Sequence, residues 1–422
     1  MHRTMSGKQS EPVNHRGQKP RLPPSRIMRE LAYVEAASSE LTRDINRDLI
    51  LEQIRLLQPI SRVDLARVSG LQPSTVSSIV EQLTRERWIQ EGNAVRTARG
   101  RRPTLLTLNS DLLILVGDVR PTQAVLAVVD LNGRFLSRLA VPLASKVELS
   151  IAAIAEGMNR LRSQFPDQVF EGVGLSVPGR VNPATNRLVL VPNLQWKDFD
   201  ICGELNRQLG LRVELENDAN ACLLSELWFG HVNGLRNVVL IAISEGVGAA
   251  VLSEGRLLGG LQGLAGEFGH ICVDSSGPLC GCGQYGCWET VASSQAAVRY
   301  YSELKPEMGR ITMQELLNRS LNKDEAAIEA LRKQSRCVGR GLRMINAAVS
   351  PEAILFAGDI TMFWDIAGPI IEEECAAGML TDIVPALRSI GDGELALLRG
   401  AAAVVLQRHS GYYRSAHARP RA

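Results

Sequence analysis

Three thiols and an imidazole crowd one stretch of this chain: His270, Cys280, Cys282 and Cys287. Their types and number are those of a closed tetrahedral zinc site. Glycines at 277, 281, 283 and 286 let the intervening loop turn back so that three sulfurs reach one ion. Cys272 is left over. Cys202, Cys222, Cys337 and Cys375 lie scattered in apolar or helical stretches and read as small reduced core residues. A different chemistry is available at Asn217 and Asp218. They follow the strand-like run 213–216, VELE, and should project from its C-terminal end, where α/β folds place ligands. Standing alone, the pair would read as a helix cap or turn.

The context of the cysteines carries a resemblance. Residues 267–289, EFGHICVDSSGPLCGCGQYGCWE, closely resemble the signature of the ROK family, whose members are repressors, sugar kinases and uncharacterised reading frames. Further matches follow in the family's order: VPGRVN at 177–182, PNLQW at 192–196, ENDAN at 216–220 and GRLLGG at 255–260. The resemblance covers about residues 110–410. It implies an actin-like, ribonuclease-H-like body of two lobes around a cleft. It also implies a sugar pocket made by Asn217, Asp218, Glu267, His270 and Glu289, with Gly179 bringing backbone close to the ring and Asp218 in the position of a kinase's catalytic base. Zinc would fix the loop that carries Glu289 and orient His270, whose second ring nitrogen is free to face the sugar.

The phosphate loops depart from the kinase pattern. Where kinases of the family carry a first loop like DxGGT, this chain has DVRPT at 118–122, with a long side chain at Arg120 and no N–H at Pro121. The second loop, usually GTGxG, reads SEGVG at 244–248, and Glu245 sets a carboxylate where a triphosphate would lie. A third glycine-rich stretch, FAGD at 356–359, adds Asp359. ATP binding is therefore not expected.

These residues need elements to position them. The run LILVGD at 113–118, AVLAVVD at 124–130, a hairpin at Asn132-Gly133, a helix near 149–165 and a buried strand at 172–177 give a β-β-β-α order. It recurs from NVVLIAI at 237–243, with a hairpin at Glu254-Gly255. The apolar stretch 395–407 reads as a helix packing back across the first lobe.

Upstream, Ile45, Leu49, Ile50, Ile54 and Leu57 keep helical spacing until Pro59, Ser61 caps a second helix with Asp64 three residues on, and Gly70 ends it. Pro73 opens a third helix with Val76, Ile79, Val80 and Leu83 on one face. Gln72, Ser74, Thr75, Ser77, Ser78 and Gln82 stand at its start and on the other face. Residues 90–108 read as a two-strand wing, with Arg99, Arg101 and Arg102 able to lie along phosphates or enter a minor groove. Helix-turn-helix plus wing gives a winged helix that should contact operator DNA. Charge agrees: residues 1–109 hold 18 Lys+Arg against 11 Asp+Glu, and the remainder 29 against 34.

The expected organisation is α/β: a basic arm over residues 1–43, a winged helix-turn-helix over 44–109, a first actin-like lobe over 110–235 with the terminal helix 394–409, and a second lobe with the zinc loop over 236–393. The head is expected to bury its own core. No apolar run is long enough to span a membrane, and the first residues carry no signal-peptide core; with clustered cysteines this points to the cytoplasm. A small winged helix covers too little DNA alone, so a homodimer or higher homo-oligomer on a palindrome is expected. The expectation is thus a sugar-responsive transcriptional regulator, in the repressor sense, with structural Zn2+. The competing expectation is an active ATP-dependent sugar kinase with a DNA-binding head.

Overall fold

The computed structural model describes residues 39–92, 104–191, 194–230, 232, 234–377, 384–391 and 393–407. The chain divides into a short unit, residues 1–45, and a large one, residues 46–422. The expected basic arm lies, up to residue 38, outside the described residues. Helix α1 (Ser39–Leu57) ends before Pro59, which has no N–H to continue it. After β1 (Ile60–Ser61), α2 (Arg62–Ser69) is opened by Ser61, whose Oγ accepts the Asp64 N–H at 3.2 Å, and is closed by Gly70 at φ 71°. Helix α3 (Pro73–Arg85) starts on its proline and buries Val76, Ile79, Val80 and Leu83. Strands β2 (Ile89–Glu91) and β3 (Leu105–Leu108) pair antiparallel, and β1 adds to β3.

The body holds two five-stranded sheets of one design. The first comprises β4 (Leu112–Val119), β5 (Gln123–Asp130), β6 (Phe135–Pro142), then α4 (Val147–Arg162) and β7 (Val169–Val177). A small sheet of β8 (Arg180–Asn182), β9 (Arg187–Val191) and β10 (Trp196–Lys197) follows, then α5 (Ile201–Leu209), β11 (Val213–Asn217) and α6 (Asp218–Phe229). The second sheet takes β12 (Val238–Ile243), β13 (Val247–Ser253) and β14 (Arg256–Leu257). Beyond a long loop come α7 (Glu289–Ala292), α8 (Ser294–Leu304), α9 (Met313–Leu321), α10 (Glu325–Val349), β15 (Ala353–Gly358), α11 (Trp364–Ala376), β16 (Ala386–Ser389) and α12 (Gly393–Gln407).

Both sheets place three antiparallel strands beside two parallel ones, in the orders β11-β7-β4-β5-β6 and β14-β13-β12-β15-β16. The hairpins close where expected, at Gly133 (φ 77°) and at Glu254-Gly255 (φ 51° and 76°). Helix α12 returns to the first sheet with backbones nearly touching. A Cβ on Gly174 would lie 1.9 Å from the Ala401 carbonyl oxygen, and one on Gly400 would lie 2.0 Å from that of Ala221. No helix among the described residues is long and apolar enough to cross a membrane.

One expectation is overturned. Residues 46–108 do not bury a separate core: Ile50, Leu51, Ile54, Leu65, Val76, Leu83, Trp88, Leu106 and Leu108 share one buried cluster with Leu112, Ile114, Val116, Leu131, Leu398 and Leu406 of the body. Apolar periodicity gives which face of a helix is buried but not which partner buries it.

Candidate functional site

The loop between β14 and α7 brings the expected ligand set together. The ligand atoms of His270, Cys280, Cys282 and Cys287 all lie within 4.8 Å of one another. Two separations are diagnostic: Cys282 Sγ to Cys287 Sγ is 3.6 Å, and Cys280 Sγ to His270 Nδ1 is 3.5 Å. A tetrahedron with Zn–S near 2.3 Å and Zn–N near 2.0 Å has edges of about 3.5–3.8 Å, so the donors fit in number, type and spacing. The turn requires Gly286 at φ 67°, where a Cβ would lie 1.5 Å from the Asp274 carbonyl oxygen. Trp288 anchors the loop's end: its buried indole donates to the Cys337 carbonyl at 2.9 Å, and the ring lies against Gly341 of α10.

His270 presents Nδ1 to the thiols and Nε2 to Glu267, whose Oε2 is 3.8 Å away. Glu267 in turn lies 3.6 Å from Arg180 Nη2, a residue the sequence reading passed over. An arginine beside a proline-glycine turn looks like any surface cation, and only the fold sets it opposite Glu267. Glu289 begins α7 and turns its carboxylate inward, accepting the Val247 N–H at 3.2 Å. Cys280 Sγ is 3.5 Å from the other oxygen of Glu289. The cysteine loop and the turn between β12 and β13 thus share one carboxylate.

Asn217 ends β11 and caps α6, its Oδ1 accepting the Asn220 N–H at 2.7 Å. The cap role is real, and the side-chain amide keeps its N–H donors. Asp218 opens α6 half-buried; burial pushes its carboxyl up to about 6, against an opposing hydrogen bond from the Ala219 N–H. Beneath it the buried Glu216 accepts from Asn220 Nδ2 at 3.0 Å, and burial raises its carboxyl too. Gly179 is needed for a reason the sequence did not give: a Cβ there would lie 2.3 Å from the Leu190 carbonyl oxygen of β9.

The three altered loops have distinct partners. Arg120 Nε donates to the buried Asp118 at 2.7 Å, so a guanidinium lies on the carboxylate of the first loop. Glu245 is exposed on the turn between β12 and β13. Asp359 accepts from Ser294 Oγ at 2.7 Å. On α3, Ser74 and Ser78 are exposed, as is Gln72 at the cap, while Thr75, Ser77 and Gln82 are half-exposed. Gln82 donates to Glu86 at 2.8 Å. Arg99, Arg101 and Arg102 lie outside the described residues.

Paired sheets of this order, with Asp118 near the end of β4 and Asn217 at the end of β11, are those of the actin-like sugar kinase and regulator class. A solved ROK family transcriptional regulator, a homologue of the Escherichia coli MLC protein, has this fold with a TM-score of 0.77 and 27% identity, over 88% of this chain and 98% of that one. A ROK family glucokinase from Streptomyces griseus, solved with glucose and AMPPNP, gives 0.63 and 28%, over 70% of this chain and 99% of its own. The chain belongs to the ROK family, whose model matches residues 118–408. The xylose repressor of Bacillus subtilis (strain 168) is 29% identical over 331 residues, 78% of this chain and 85% of the repressor.

Proposed function

We propose that the protein is a sugar-responsive transcriptional regulator that acts as a repressor. Residues 44–109 form a winged helix-turn-helix that reads operator DNA. The exposed face of α3 enters the major groove through Gln72, Ser74, Thr75, Ser77, Ser78 and Gln82. Arg99, Arg101 and Arg102 neutralise phosphates or line a minor groove. Two copies bind a palindromic site. Both the regulator similar in fold and the xylose repressor support this reading, because their resemblance extends through most of the chain.

In the body, Asn217, Asp218, Glu267, His270 and Glu289 hold a sugar ring, with Gly179 shaping the turn beside them. Asn217 donates through its amide, and the carboxylates accept hydroxyl protons. Structural Zn2+ held by His270, Cys280, Cys282 and Cys287 clamps the loop in place. The clamp fixes the imidazole so that only Nε2 is offered toward Glu267 and the ring.

The observation that favours a sensor over a kinase is the Arg120–Asp118 pair at 2.7 Å. It supports the reading because it sets a fixed cation on the first loop's carboxylate, while Pro121 offers no N–H to a phosphate. The test is one preparation assayed two ways, for ATP turnover and for sugar-dependent thermal shift, across aldoses, N-acetylhexosamines and their phosphate esters. A shift without turnover supports the sensor. Sugar-dependent turnover that vanishes in Asp218→Asn establishes the kinase instead, and neither response leaves a DNA-binding scaffold without a sugar.

A further inference from the structure

Helix α6 has one end in the candidate sugar site and the other against the head. Its first turn is capped by Asn217 and begins with Asp218. At its last turn the Trp228 carbonyl oxygen accepts a hydrogen bond from Arg55 Nη1 of α1 at 2.5 Å. The same guanidinium lies 5.1 Å from the centre of the Trp228 ring. It is held in that pose by its other donors, Nε and Nη2, which reach the two Glu52 carboxylate oxygens at 2.8 and 2.5 Å. With its side chain 13% exposed, Arg55 is a largely covered fastening rather than a solvated surface charge. A cation at this end also complements the negative pole of the α6 dipole.

The helix is suited to transmit displacement. It spans 12 residues, DANACLLSELWF, with no glycine or proline to absorb bending, and a rise of 1.5 Å per residue makes it about 18 Å long. Ala219, Ala221, Cys222, Leu223 and Leu224 are buried along it, and the close approach of Gly400 to the Ala221 carbonyl locks it to α12. Helix α12 in turn brings Leu406 to the same junction, where a small apolar cavity opens between Leu51, Trp88, Leu108, Leu131 and Trp228. The cavity holds only about 10 Å³, room for no more than one water, so the junction is closely packed and a displacement of one helix must be passed to its neighbours. A second fastening stands nearby: Gln58 Nε2 donates to Asn132 Oδ1 at 3.0 Å in the β5–β6 turn, while Gln58 Oε1 accepts the Leu108 N–H at 2.8 Å.

We propose that α6 is the lever by which the sugar site sets the position of the DNA-reading head, and that Arg55 is the positioning residue that couples it to the head. The proposal rests on the sugar-responsive reading above and names its route. Ligand drawing on Asn217 and Asp218 shifts the N-terminus of α6, the rigid helix carries the shift to Trp228, and Arg55 passes it to α1. Arg55 touches neither ligand, so its loss acts on the coupling and not on either affinity alone.

Coupling is reciprocal: sugar changes DNA affinity by the same factor by which DNA changes sugar affinity. The experiment measures both factors for the full chain, using a duplex the wild-type protein selects from a random pool and whichever sugar of the panel above shifts its melting. Wild type should show equal factors, in the range of about 5- to 150-fold usual for such coupling. Arg55→Met keeps the aliphatic stem and loses the donors. Its sugar affinity without DNA should stay within about twofold of wild type while both factors fall to about twofold or less. Arg55→Lys, able to reach one partner but not both, should fall between. Should Arg55→Met fail to melt cooperatively, Gln58→Ala carries the test, with reduced factors expected. Wild-type factors retained in the folded variant overturn the lever alone; factors of one in wild type for every sugar overturn the sensor reading, and the lever with it.

Discussion

Asp218→Asn should stabilise the ligand-free protein at alkaline pH while weakening its hold on sugar. The carboxyl stands half-buried at the first position of α6, and burial moves it from 3.8 to about 6. Between those values the native state binds more protons than the unfolded chain, so stability falls as pH rises from about 4 through about 6. Below that window the group costs nothing; above it the ionised carboxylate is held against its preference. A shift of roughly two units at 1.36 kcal/mol each corresponds to at most about 3 kcal/mol, less to the extent that solvent screens the group. Asparagine keeps an oxygen to accept the Ala219 N–H and has no charge to desolvate. The assay is thermal unfolding of wild type and variant from pH 4 to 8 without sugar, and the difference between them isolates Asp218 from the neighbouring Glu216, which titrates in the same direction. The variant should melt higher at pH 8, with the advantage vanishing near pH 4. A variant that melts lower at pH 8, or a difference independent of pH, would refute the assignment of strain to this carboxylate.

The purified protein should hold about one zinc per chain, and Cys282→Ser should lose the metal and the sugar-induced thermal shift together; elemental analysis without zinc in chelator-free protein would contradict this. Glu289→Ala removes a charge-assisted acceptor and should cost about 1.5 to 3 kcal/mol of sugar affinity, roughly ten- to a hundredfold, read by calorimetric titration. Because Leu112, Ile114, Val116, Leu398 and Leu406 share a core with the head, removing residues 1–109 should expose an apolar face and give an aggregating fragment, and a monomeric truncation in size-exclusion chromatography would show the cores to be independent.

The most readable parts of this chain were local. The candidate metal ligands fall within one loop, so residue type and spacing pointed to the cluster without tertiary information, and His270, Cys280, Cys282 and Cys287 do come together. Helix ends were readable where a side chain or a proline dictates them, as at Ser61, Gly70 and Pro73. The central strands β4, β5, β7 and β12 declared themselves as apolar runs. What could not be read depends on which buried face meets which. Leu51, Trp88, Leu108, Leu131 and Leu406 come from distant stretches, and each reads only as buried; their convergence is a property of the fold. Arg55 and Arg180 look like ordinary charged residues on amphipathic segments, and only the structure gives them Trp228 and Glu267. Strands β8 to β10 are too short and irregular for period-two patterning to show, which hid the backbone contact that makes Gly179 necessary.

The most direct test of the regulator itself is the affinity of the intact, zinc-replete protein for its selected duplex, measured with and without each sugar of the panel at fixed salt. One class of sugar should weaken DNA binding by about fivefold or more, saturably and without ATP. DNA affinity unmoved by any sugar, in protein that melts cooperatively, would contradict it.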